Sequence, residues 1–279
     1  MHIVPNILLE IPAPPEALFI KGSPLDDDFE GVAIVGTRKA TPEGLTLAEK
    51  TAHELALAGI PVISGLAFGI DSAAHRGCLK AKGTTVAVLA GGIKKIYPAS
   101  NEFLADEIVS SGGSIISEYE DTTSYPDMFL KRNRIVSGLS KAVIVIEAPF
   151  RSGAVSTANW AAEQGREVLV FPGPHNHPNY GGSHKLIRDG ARLVSSINDI
   201  FSDLGIEKNE NKATHLSPTL SKNAALVLKT ISGSTASLSI DKLISETKLE
   251  PQKVLSSLSE LCMAGNITET VSGYALNVN

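Results

Sequence analysis

A doubly wound α/β domain followed by a small helical module is the fold class this sequence predicts, on three observations. Short β-branched runs alternate with helical stretches of roughly 10–15 residues over 31–205, the rhythm of a parallel sheet covered on both faces. The runs are continuously apolar, as strands buried on both sides must be. Past a polar stretch, apolar residues return at helical spacing and end in a hairpin pattern. A chain of 279 residues is long enough for one large core and one small module.

Residues 1–30 form a lead-in segment. Prolines interrupt it and no basic start precedes its apolar stretch, so it does not have the pattern of a signal peptide. The first strand is expected near residue 32, in VAIVG (32–36). Thr41 then offers an N-cap, Pro42 suits the first helical position, and Gly59 falls just past the helix end. PVISG (61–65) is the second run, and a helix opens at Gly69-Ile70-Asp71. Further strands are expected in 84–92, 114–119, 141–149, 167–173 and 192–196. Ligands of such sheets bind outside the carboxyl ends of the strands. Gly36, Gly65, Gly91-Gly92, Ser152-Gly153 and Gly173 all fall at such ends, and the spacing places them around one crevice.

The polar, aperiodic stretch 206–220 has the character of a linker. Over 221–279, Leu226, Leu243, Ile244, Leu255, Leu258 and Leu261 recur at helical spacing before a two-strand pattern. Three helices and a hairpin make a winged helix.

Net charge is −5, which argues against bulk adhesion to nucleic acid. Residues 1–205 hold 18 basic and 23 acidic side chains, and 206–279 hold seven of each. A nucleic-acid partner therefore needs a local pocket. Only Cys78 and Cys262 occur, which suits a reduced, cytoplasmic setting without a disulfide framework. No apolar run approaches the roughly 20 residues of a membrane helix.

The chemistry points to phosphate. Glycines at strand-to-helix joints let bare amides approach a ligand, and a helix N-terminus adds partial positive charge. Arg132-Asn133-Arg134 puts two guanidinium groups close together with no acid nearby in sequence. They line the crevice, pair structurally with Asp71 or Glu147, or divide the two roles, with one arginine inward and one paired. Arg38 follows the first strand in Gly36-Thr37-Arg38, and the GxGxxG of a dinucleotide site is missing there, so NAD and FAD are not expected. Phe68 and Tyr97 are candidate faces for base stacking, with core packing as the alternative. His175, His177 and His184 lack a convergent cysteine or carboxylate, so no metal is expected. Asp71 and Glu147 are isolated acids, and Ser64, Ser152 and Ser156 lack a histidine–acid relay, so no catalytic set emerges.

Six strings in one order, from about residue 19 to 205, resemble the DprA/Smf family of bacterial DNA-processing proteins. They are GTR (36–38), SGLAFGIDSAAH (64–75), Gly91-Gly92 before YPASN, RNRIVSGLS (132–140), EAPFRSGAVSTA (147–158), and FPGP followed by GGSHKLIRDGA (181–191). The resemblance implies a Rossmann-like domain that binds single-stranded DNA, dimerises, and hands the strand to the RecA recombinase during natural transformation. It implies that Arg38 grips a phosphate and that a basic residue near the Gly91-Gly92 turn, Lys94 or Lys95, does the same. Carried onto this chain, the contact set is Gly36, Thr37, Arg38, Ser64, Gly65, Gly69, Ile70, Asp71, Gly91, Gly92, Lys94, Lys95, Arg132, Asn133, Arg134, Ser152, Gly153 and Thr157. Ala99 and His184 depart from residues common in the family. The helical N-terminal module of some relatives is not expected here. The winged helix has no arginine and one lysine against two glutamates over 250–264, so it suits a protein contact or regulation better than duplex reading.

Two other readings compete. Phosphoribohydrolases of the lysine-decarboxylase-like group share the sheet and carry PGGxGTxxE, but here Asn159 stands where that glutamate is expected and Glu163 lies too far on. A nucleotide sensor using the same crevice also fits.

Overall fold

The computed structural model describes residues 4–206, 221–234, 237–270 and 273–276. The chain divides into two compact units, residues 1–209 and 210–279.

The first unit is built on an eight-stranded sheet. After a short helix α1 (Asn6–Leu9), the strands in chain order are β1 (Phe19–Gly22), β2 (Gly31–Val35), β3 (Val62–Ser64), β4 (Thr85–Val88), β5 (Ser114–Ser117), β6 (Ser140–Val145), β7 (Glu167–Val170) and β8 (Arg192–Leu193). Their spatial order is β1-β5-β4-β3-β2-β6-β7-β8, and every pairing is parallel except β1 with β5. The chain winds outward from β2 through β5, then crosses back to β6 on the other side of β2. That reversal makes the carboxyl ends of β2 and β6 the switch point, where a ligand crevice opens.

Strand β1 corrects the expectation that strands begin near residue 32. FIKG is half-exposed at the sheet edge and includes a lysine and a glycine, so it lacks the continuous apolar run of the central strands. The lead-in is part of the fold, because Leu8 and Ile11 pack where a side chain on Gly138 would stand.

Helices cover both faces. The helices α2 (Pro42–Leu57), α3 (Ile70–Lys80), α4 (Glu102–Ser110) and α8 (Ile197–Asp203) lie on one side. On the other lie α5 (Pro126–Gly138), α6 (Gly153–Glu163) and α7 (Gly181–Arg188). Strand β2 shows the division: Val32 and Ile34 join the core under α2 and α3, while Ala33 and Val35 join the core under α5 and α6. Helix α2 has the expected ends, with Thr41 accepting from Gly44 N and Pro42 at the first position.

The second unit contains α9 (Lys222–Ser232), α10 (Ile240–Thr247), α11 (Pro251–Met263) and an antiparallel hairpin of β9 (Ile267–Thr270) and β10 (Gly273–Leu276). Leu238 bridges to Tyr274, completing the winged-helix arrangement. Leu243, Leu258 and Leu261 are buried as expected, but Leu226 and Leu255 are exposed. Each lies beside the true core face, which uses Ala224, Val227 and Ile231 on α9 and Val254 on α11. The expected linker, past Ile206, lies outside the described residues, as do residues 271–272 of the hairpin turn. Among the described residues no helix is long and apolar enough to cross a membrane.

Candidate nucleic-acid interface

A cavity of about 630 Å³ opens at the switch point. The ends of β2 and β3 supply Gly36, Thr37 and Gly65, and the start of α6 supplies Ser152, Gly153 and Thr157. Helix α5 closes one wall with Phe129, Leu130, Arg132 and Asn133, and Tyr97 stands at the rim. Arg38, Lys39 and Arg151 reach it from exposed loops.

The local charge is opposite to that of the whole chain. Four cations (Arg38, Lys39, Arg132, Arg151) and one carboxylate (Asp71) line the cavity, a formal balance of +3 against −5 overall. Pocketed charge of one sign attracts and concentrates oppositely charged ligands.

Arg132 is buried and held in place by backbone. Its Nη1 donates to Gly65 O at 2.9 Å and also to Val88 O, while its buried Nε has no hydrogen-bond partner. Burial lowers its pKa to about 10 although Asp71 opposes the shift, so it remains a cation at neutral pH. Asp71 accepts from Gly65 N at 3.2 Å and Ala67 N at 3.4 Å. Burial raises its pKa, and Arg132 is the largest opposing influence. A side chain at position 65 would take the Arg132 guanidinium position and displace it from the Gly65 and Val88 carbonyls. Together these residues form a fixed floor in which the Asp71 carboxylate faces the Arg132 guanidinium, so the excess positive charge lies with Arg38, Lys39 and Arg151.

Arg38 is different. It is exposed, and its guanidinium lies 5.1 Å from the centre of the Phe129 ring, which meets Tyr97 edge-on at 5.6 Å. A guanidinium beside two aromatic rings offers charge for phosphate and a flat surface for a base.

Eleven of the sequence-predicted residues come together here: Gly36, Thr37, Arg38, Gly65, Asp71, Tyr97, Arg132, Asn133, Ser152, Gly153 and Thr157. The others lie outside the cavity lining. Ser64 is inside the sheet, donating to Ile34 O at 2.7 Å. Ile70 is core, and Gly69 (φ +75°) lets the loop carrying Thr37 and Arg38 approach closely. Phe68 is exposed. Gly91 and Gly92 pack against the segment 120–124, where Gly92 N donates to Thr122 O at 2.8 Å. Gly173 packs against the Tyr180 ring. The expectation of one crevice shared by all five glycine turns is therefore corrected to three, because the 120–124 and 178–180 segments cover the other two.

Lys94 pairs with Glu120 at 2.8 Å, and Lys95 is exposed beside it. Arg134 is buried, holding Glu118 at 2.6 and 2.8 Å and donating to Ala13 O at 2.7 Å. Its acid is thus neither Asp71 nor Glu147, and it ties α5 to the lead-in. Lys39, Arg151, Phe129 and Leu130 were not expected from sequence. Two of them stood in view, since Lys39 follows Arg38 and Arg151 precedes Ser152. Phe129 lies three residues before Arg132, on the same helix face.

The hydroxyl of Ser152 accepts from Val155 N at 3.3 Å as the cap of α6. His184 Nε2 lies 3.0 Å from Gly173 O. Among the described residues no three His, Cys, Asp or Glu side chains are grouped to hold a metal.

The profile of the DNA recombination-mediator protein A family matches residues 2–205. Protein Smf of Synechocystis is 41% identical over 208 residues, covering 72% of this chain and 52% of that protein, so the chain spans about half that relative's length. The X-ray structure of DNA processing protein A from Streptococcus pneumoniae superposes with a TM-score of 0.65 at 38% identity, covering 72% of this chain and 70% of that one. The structure of DNA processing protein A from Helicobacter pylori, described for its single-stranded DNA binding mode, gives 0.66 at 31% identity, covering 73% and 94%. The β1–β8 unit, with its cationic cavity at the β2–β6 switch point, thus carries the sequence and fold of known relatives, and the chain belongs to the DNA recombination-mediator protein A family.

Proposed function

We propose that this chain binds single-stranded DNA in the switch-point cavity and acts as a recombination mediator, working by binding alone. The observation that carries this is the local +3 balance beside the Arg38–Phe129–Tyr97 group, in a chain whose overall charge is negative. Nonspecific strand binding combines backbone charge with aromatic stacking, and both are present at one opening. The 31% identical relative described for single-stranded DNA binding supports the same reading. Protection of the strand, delivery to a RecA-type recombinase and action as a homodimer belong to this proposal as the roles the family resemblance implies.

A nucleotide sensor is the second reading. It is favoured by the cavity volume, which falls in the range of about 300–1,000 Å³ typical of small-ligand pockets. Equilibrium binding of a labelled oligo-dT, competed with duplex and with a panel of nucleotides, separates the two. Oligo-dT should bind most tightly and resist millimolar nucleotide. Displacement by one nucleotide at low concentration would establish the sensor instead.

A further inference from the structure

The N-terminus of α2 is a natural place for a ligand phosphate, since it directly follows the first switch-point strand. The protein fills it with its own carboxylate. Glu147, just past β6, is fully buried, and all four of its side-chain hydrogen bonds come from uncharged donors. Oε2 accepts from Thr41 N at 3.1 Å and Asn179 Nδ2 at 2.8 Å. Oε1 accepts from Tyr180 Oη at 3.1 Å and from the Thr41 hydroxyl. The Thr41 hydroxyl also accepts from Gly44 N, so its single proton is directed to the carboxylate. Gly44 sits in the first turn of α2 where any side chain would overlap the Glu147 carboxylate. Glycine there lowers helix stability, and the space it leaves is the space the carboxylate takes.

This carboxylate joins three segments: the loop after β2, the end of β6 and the 177–180 segment. The loop after β2 is held at alternate residues. Thr37 N donates to Glu147 O at 2.8 Å, Lys39 O accepts from Asn179 Nδ2 at 2.9 Å, and Thr41 is bound as above. Anchoring residues 37, 39 and 41 leaves Arg38 directed outward, over Phe129.

We propose that Glu147 is a positioning residue for strand binding: as a built-in anion at the α2 N-terminus, it fixes the 37–41 loop so that Arg38 is presented to phosphate. A ligand phosphate is thereby directed to the side chains of Arg38, Lys39 and Arg151 and to the α6 N-terminus, and kept from the α2 N-terminus. The inference rests on the strand-binding reading above.

The test is a double-mutant cycle read by anisotropy of labelled oligo-dT across a salt series, using the full chain. Glu147→Gln should weaken binding about tenfold, the equivalent of one lost hydrogen bond to a charged group. It should also flatten the salt slope by about 0.7, the single-strand value for one phosphate. Arg38→Ala combined with Glu147→Gln should bind no more weakly than Arg38→Ala alone, because Glu147 acts through Arg38. A purely structural role would multiply the two losses and leave the slope alone, and that result overturns the inference. If Glu147→Gln does not fold, Asn179→Ala removes two of the same tethers, to Glu147 and to Lys39 O, at a partly exposed residue and enters the same cycle. Wild type without affinity for oligo-dT defeats the strand-binding reading and this inference with it. A wild type that binds, with an additive cycle, defeats the inference alone.

Discussion

Replacing Arg38 with alanine separates ligand contact from structure better than any other change at the cavity. The side chain is exposed and holds no ion pair within hydrogen-bonding range among the described residues; its defined contact is the Phe129 ring at 5.1 Å. Loss of that contact costs the free protein about 0.5–1 kcal/mol at most, so the unfolding midpoint should barely move. Binding should change far more. One charged hydrogen bond to phosphate is worth roughly 1.5–3 kcal/mol, which is about 10- to 150-fold in affinity. The salt slope of log K should flatten by about 0.7. Lysine at 38 should recover part of the charge but neither the two-pronged grip nor the flat stacking face. Oligo-dT anisotropy from low to moderate salt, with thermal unfolding of the same samples, gives both quantities. A folded Arg38→Ala protein with wild-type affinity and slope would refute the reasoning and leave Lys39, Arg132 and Arg151 to hold the strand.

Arg134→Met should do the opposite, because it leaves the largely buried Glu118 only the more distant, exposed Lys131 at 3.9 Å. Breaking a buried pair costs about 3–5 kcal/mol, so urea unfolding should shift strongly while the remaining folded protein binds oligo-dT normally. Gly153→Ala should fold normally, since the new methyl group meets only Asn133 Nδ2 at 3.9 Å. It narrows the cavity at the α6 N-terminus, so a loss of oligo-dT affinity at unchanged stability is expected, and unchanged affinity would move the phosphate elsewhere. His75 governs acid stability. It is fully buried with Nδ1 2.7 Å from the Thr85 hydroxyl, whose own proton goes to Val62 O, so Nδ1 carries the ring proton and the buried Nε2 is left without a partner. Burial, then Arg76 and Arg132, lowers its pKa from 6.5 to about 3. The unfolded chain therefore takes up the proton first. The stability His75 contributes is complete above pH 6.5 and is lost as pH falls toward 3, at up to about 1.4 kcal/mol per pH unit. Urea titrations at pH 7, 5.5 and 4.5 should show a steeper loss for wild type than for His75→Met, and parallel curves would contradict the assignment.

Much of the sheet was legible because buried parallel strands leave continuous apolar runs, and the ends of α2 were legible because Thr41, Pro42 and Gly59 are specific to helix termini. Strand β1 was hidden by its edge position, where only one flank needs apolar cover. The arginine pair shows what helical geometry adds to a motif. Residues two apart on a helix point about 200° from each other, so Arg132 and Arg134 cannot share a cavity, and one faces the crevice while the other meets Glu118. That much was available from the sequence. The partner at 118 was not, nor was the packing of Gly91 and Gly92 against 120–124, since both depend on how a long connection folds back over the strand ends. Glu147 was visible only as an isolated acid; its four donors come from residues 106 positions before it and some 32 after it.

The central claim is the place of the strand, and photocrosslinking reports it most directly. Oligo-dT carrying 4-thiothymidine, irradiated with the full chain and mapped by peptide mass spectrometry, should form adducts at Tyr97, within 126–133 and within 151–154, segments that line the cavity. Saturating unlabelled oligo-dT should suppress them. Adducts confined to the Lys94–Lys95 turn or to the unit over 210–279, with the cavity peptides unmodified, would contradict the account.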